Sequence, residues 1–136
     1  MLTQLKIFKG NALALELTDT WTGEDEHFMT QLFEAKLNEG YEHINLLFKV
    51  KDMSVFKHMD LKAFMEGEVW GCKHFQQIGK CAVVAHSDFI KDAVKVEGKA
   101  LRLANKALEE RYFETEQLDE ALKFICPKDE FCTCGD

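Results

Sequence analysis

A chain of 136 residues fits one domain, and with 46% apolar and 30% charged residues it can bury a core without disulfides or metal, which excludes a disordered chain. A formal net charge of −7 excludes the basic surface that a nucleic-acid binder needs and disfavours bulk attraction to anionic membranes, though a local basic stripe could still dock there. Apolar runs such as Cys81 to Ala85 are far too short to span a bilayer, no secretory signal is expected, and five cysteines, two of them inside core elements, point to a reducing, cytoplasmic setting.

Leu5-Lys6-Ile7-Phe8 reads as a strand, Gly10-Asn11 as a turn, and Ala12 to Leu17 as a second strand, so the chain opens on a hairpin. Thr22 is placed to cap a helix whose first turn carries Glu24, Asp25 and Glu26 at the positive end of its dipole. Phe28, Met29, Leu32, Phe33 and Leu37 recur at helical spacing as its buried face, and Gly40 ends it. His43 to Val50 is a nearly continuous apolar run, as expected of a central strand covered on both faces. A loop follows over Lys51 to Met59, then a second helix from Asp60 to about His74. Cys81 to Ala85 reads as another buried strand, preceded by Gly79. Ser87 suits the cap of a long third helix from Asp88 to about Leu108. Glu110 to Phe113 is a short strand. Thr115 is expected to cap a last helix that turns Leu118, Ala121, Leu122 and Ile125 to the core.

The order β-β-α-β-α-β-α-β-α predicts an α/β domain, a mixed sheet flanked by helices, over residues 1–125, with a cysteine-containing tail over 126–136. Four stretches are familiar in this order: Trp70-Gly71-Cys72-Lys73-His74, Val83-Val84-Ala85-His86-Ser87, Arg111-Tyr112-Phe113 and Leu118-Asp119-Glu120-Ala121-Leu122. Together they resemble the SpoIIAA-like family, whose members have the STAS fold, and the resemblance runs from the first hairpin to about Ile125. It implies helices packed on a mixed sheet and kinship in shape with SEC14-type lipid-binding domains. It brings no catalytic residues. Bacterial anti-sigma-factor antagonists of this fold carry Asp-Ser-Ser-Gly at the start of the second helix. Here that region reads His58-Met59-Asp60-Leu61-Lys62, so the usual phosphoserine switch is not expected. Related sequences often have tryptophan where this chain has Phe89.

Two helices carry features beyond those of a plain core element. On the third, Lys91, Lys95, Lys99, Arg102 and Lys106 fall within an arc of roughly 80°, opposite an apolar face that spans roughly half the circumference. That pattern suits a membrane surface or an apolar ligand, and also an ordinary core helix with a solvated lysine face. On the second, Glu68 falls on the apolar face and Trp70 nearly opposite it, which suits a cavity and a partner anchor, or a helix whose phase is altered by Gly67 and Gly71. Phe48, Phe56, Met59, Phe64, Met65, Phe75, Phe89, Ile90 and Val94 are the candidates to line a hydrophobic pocket between these helices and the sheet, and would otherwise be core. Trp70 and the basic stripe are the candidates for a membrane or partner surface.

No metal, cofactor or catalytic group is expected. Cys126, Cys132 and Cys134 match no standard zinc spacing, and His27, His43, His58, His74 and His86 form no metal-type pair on one face. His86 and Ser87 are adjacent, but no third group is visible in the sequence to orient them. The expected function is a non-enzymatic binding module for a hydrophobic or lipid-like small molecule, cytoplasmic and peripheral to the membrane. The alternative is a STAS-type protein-interaction module without the phosphoserine switch. A weak homodimer through Trp70 or the third helix is expected in either case.

Overall fold

Unbroken apolar runs give a strand two faces to bury, and here both are buried. The computed structural model describes residues 1–18, 22–50, 75–88, 91, 92, 95 and 108–127. Strands β1 (Leu2–Ile7), β2 (Ala12–Leu17), β3 (Ile44–Val50), β4 (Ile78–Ala85) and β5 (Glu109–Glu114) form one sheet in the order β1-β2-β3-β4-β5. The first pair is antiparallel, as the Gly10-Asn11 turn requires, and the other three are parallel. β3 is therefore the central strand and β4 is interior, as their unbroken apolar runs predict.

Leu13, Leu15 and Leu17 of β2, Leu46, Phe48 and Val50 of β3, and Cys81 and Val83 of β4 share one cluster with Met29 and Phe33 of helix α1 (Gly23–Asn38). Each large side chain withdrawn from water there contributes roughly 1.5–3 kcal/mol. The opposite face carries smaller residues, Ala12, Ala14, Leu47, Ala82 and Val84, under Phe113 and the short helix α2 (Leu118–Ile125). Ala121 and Ile125 of α2 are buried and Leu118 and Leu122 are half-buried, so this helix presents the expected face.

Thr22 caps α1 in a reciprocal box with Asp25. Gly40, at φ 103°, takes the left-handed turn after the helix. Thr115 does not cap the last helix. A 3-10 turn over Thr115–Gln117 intervenes, closed by the Glu114 N–H donating to Gln117 Oε1 at 2.9 Å, and α2 begins only at Leu118. Among the described residues, no helix is long and apolar enough to cross a membrane.

Candidate functional site

The two ends of the parallel strands are built differently. At the amino end, β4 holds one more residue than β3 between the pairs Ile44–Ile78 and Leu46–Cys81. The Asn45 amide resolves that irregularity. Its Oδ1 accepts the Lys80 N–H at 2.8 Å, and its Nδ2 donates to the Ile125 carbonyl, an otherwise unsatisfied acceptor at the end of α2, at 2.8 Å. Gly79 leaves room for it: a Cβ there would stand 2.6 Å from Asn45 Oδ1. Asn11 joins the same junction, donating from Nδ2 to the His43 carbonyl at 2.8 Å and accepting the Asn45 N–H on its own carbonyl. Asn11, Asn45 and Ile125, with Tyr41, Lys80 and Pro127, line a cleft of about 330 Å³. That is enough for a small ligand, but both amide groups are already used on the backbone, and the Lys80 ammonium lies 5.3 Å from the centre of the Phe124 ring.

At the carboxyl end the polar atoms are of a different kind. The parallel register sets Ala85 beside Glu114, so His86 leaves β4 next to the residue that ends β5. His86 Nδ1 lies 3.3 Å from Glu114 Oε2, and Glu116, in the turn just beyond, brings a second carboxylate. The ligand-type atoms of these three residues lie within 4.8 Å of one another. Tyr112 braces the edge from below: its hydroxyl accepts the Ser87 N–H at 2.9 Å, donates to the Ala85 carbonyl at 2.9 Å and stands 3.3 Å from Glu114 Oε2. Burial pushes the Tyr112 phenol above its usual value. The Ser87 N–H bond opposes that, and the Glu114 and Asp88 carboxylates reinforce it. The phenol therefore stays protonated, as its donor role requires.

From this edge the chain enters a helix. The Lys91 N–H donates to the Ser87 carbonyl at 3.0 Å, which places Ser87 at the cap position expected of it. Lys91 is half-buried and Lys95, one turn on, is exposed. Of the pocket candidates, Phe48 is buried in the α1-side core, and the backbone of Phe75 lies in a 3-10 turn over Phe75–Gln77. Phe56, Met59, Phe64, Met65, Phe89, Ile90 and Val94 lie outside the described residues, as do Glu68, Trp70, Lys99, Arg102, Lys106, Cys132 and Cys134. Cys126 is buried against the α2-side cluster. Burial raises the Cys81 thiol well above its ordinary range, with the Glu110 carboxylate adding to it, so Cys81 is an inert core residue.

Sequence reasoning named His86 and Ser87 but found no group to orient them. Glu114 stands beside the His86 ring, and Tyr112 holds the Ser87 backbone rather than its hydroxyl. His86 and Glu114 are 28 positions apart, and only the pairing of β4 with β5 joins them. A register assignment for the two parallel strands is the signal that would have found the cluster.

Residues 12–126 match the model of the SpoIIAA-like family. A crystal structure of an uncharacterized protein from the DUF3478 family, with a SpoIIAA-like fold, from Shewanella loihica PV-4, is similar to this chain with a TM-score of 0.58. The two are 22% identical over 85% of this chain and 84% of that one, which speaks to the fold alone. No curated protein matches the chain. The family model spans most of the sequence, and the solved structure repeats its architecture. The chain belongs to the SpoIIAA-like family.

Proposed function

We infer that this protein is a non-enzymatic binding module for an apolar or amphipathic, lipid-like small molecule, working at the surface of membranes. The SpoIIAA-like fold is in general one of regulatory and interaction modules rather than enzymes. The observation that carries the reading is the helix entered at Ser87. Tyr112 pins its first residue to the sheet, and Lys91 and Lys95, one turn apart, begin a basic stripe on it. The sequence from Phe89 to Leu108 carries the wide apolar pattern expected of one helix face. At a membrane, a helix with this sequence pattern would present apolar surface and lysines together, the first to acyl chains and the second to head-group phosphates. Each basic group near an anionic surface contributes on the order of 1 kcal/mol, and salt screens it.

Binding to vesicles of mixed phosphatidylserine and phosphatidylcholine should therefore exceed binding to pure phosphatidylcholine, and should fall as ionic strength rises. Replacing Lys91, Lys95, Lys99 and Lys106 with glutamine should remove the difference and leave the fold intact. Equal binding to both vesicles at low salt would show the stripe to be a solubility feature and end the membrane part of the reading.

A second reading, an interaction module acting through self-association, draws support from Ile7, which is 56% exposed on the edge strand β1. Sedimentation should then show a weak homodimer at micromolar concentration, diminished by Ile7→Lys or Trp70→Ala. A strict monomer across that range would remove it.

A further inference from the structure

We propose that His86, Glu114 and Glu116 form a binding site for a divalent transition-metal ion at the carboxyl edge of β4 and β5. Two donors held 2.0–2.2 Å from one ion stand roughly 3.0 Å apart at a right angle and roughly 3.4 Å apart at a tetrahedral one. His86 Nδ1 and Glu114 Oε2 are 3.3 Å apart, already at that spacing. Glu116 stands on the 3-10 turn directly after β5 and is exposed, so its carboxylate can complete a third position by a side-chain rotation. One imidazole nitrogen with two carboxylate oxygens suits manganese, cobalt or zinc better than calcium, which takes oxygen ligands throughout.

An ordinary ion pair between His86 and Glu114 accounts for the first contact and not for the second carboxylate. Glu116 brings a like charge to Glu114, and Asp88 adds another near Tyr112, in a chain whose net charge is −7. A cation at the centre of the three ligand atoms relieves that repulsion. The Tyr112 hydroxyl stands 3.3 Å from the Oε2 that faces His86, and its single proton, shared between that oxygen and the Ala85 carbonyl, can support the carboxylate from behind. The side chains of His86 and Glu114 are 83% and 35% exposed, so positions on the ion would remain open to water or to an anionic ligand. The site does not depend on the lipid-binding reading.

Cobalt(II) titrated into the full chain, followed by amide NMR and by visible and near-ultraviolet absorption, tests this. Signals of residues 85–88 and 112–117 should broaden first and saturably. His86→Ala and Glu116→Gln should each weaken the binding by at least about tenfold. Both substitutions fall on exposed side chains, and the amide spectrum reports directly whether each variant is folded. The absence of a saturable site would overturn the proposal, as would a thiolate-to-cobalt absorption band with broadening centred on Cys126, or unchanged affinity in both variants.

Discussion

Among the described residues, the amino and carboxyl ends of the parallel strands use their polar side chains in opposite ways. At the amino end, Asn45 and Asn11 are amides, and their hydrogen bonds go to backbone groups that a bulge, a helix end and a turn would otherwise leave unsatisfied. At the carboxyl end, His86, Glu114 and Glu116 are titratable, lie at or near the surface and face one another. Glu114 also accepts from the backbone N–H of Gln117, but in an exposed turn where water can take its place. One end is a joint and the other has atoms to spend on a ligand. Position at an end of the sheet does not decide the matter by itself. Asp25, at the carboxyl end of β2, is spent as fully as Asn45, accepting from the Leu2 N–H, the Thr22 N–H and the Thr22 hydroxyl, each at 2.9 Å. The distinction lies in what each polar atom is bonded to.

The largest expected effect comes from breaking the joint. Asn45→Ala leaves the Lys80 N–H and the Ile125 carbonyl without their partner and should cost about 2–4 kcal/mol in denaturant unfolding. Gly79→Ala should cost about 1–3 kcal/mol, because the new Cβ displaces Asn45 Oδ1. In the Asn45→Ala background that second loss should shrink, since the clashing atom is gone. Additive losses would show that the close approach of Gly79 and Asn45 is not the reason for the glycine.

Asp25→Asn should cost about 1–3 kcal/mol by disrupting the cap of α1 and its tie to β1. Burial alone would raise the Asp25 carboxyl. The bonds from Thr22 and Leu2, with the charge of the Met1 ammonium 3.7 Å away, outweigh it and hold the carboxyl below its ordinary 3.8. A carboxyl lowered by folding stabilises the protein fully above its unfolded pKa, and that contribution is lost as the pH falls through the folded value. The wild type should therefore lose stability faster than Asp25→Asn on acidification below about pH 4. Parallel curves through that window would contradict the assignment.

Tyr112→Phe should have a smaller effect, about 1 kcal/mol, because the hydroxyl is half-buried and solvent can replace part of what it gives. Its clearer signature is spectroscopic. The difference in ultraviolet absorbance between wild type and variant should show a phenol that ionises above 10. Ionisation at or below 10 would mean that the brace beneath Glu114 is more open than described.

The contrast between the two ends also bears on what could be read in the sequence. β2 runs from Ala12 to Leu17 and α1 is capped by Thr22, as predicted, because alternation and capping are local signals. β1 and β4 begin earlier than expected, at Leu2 and Ile78. Thr3 and Gln4 do not look like strand residues alone and become so by pairing with Glu16 and Leu15. Gly79 and Lys80, which precede the apolar run, belong to the strand because Asn45 satisfies the bulge. The mixed sheet and its family were legible, since long apolar runs and motif order are properties of one chain read end to end. The carboxyl-edge cluster was not, because Glu114 reaches His86 only through the β4–β5 register, and register is not written in either strand by itself.

The most direct test of the binding-module reading is mass spectrometry of the full chain purified under gentle conditions. The intact native mass should exceed that of the polypeptide, and denaturation with organic extraction should release an amphiphilic compound in near-stoichiometric amount. The reading is contradicted by a bare native mass, no compound above a control purification, and no adduct after incubation with a panel of fatty acids and phospholipids.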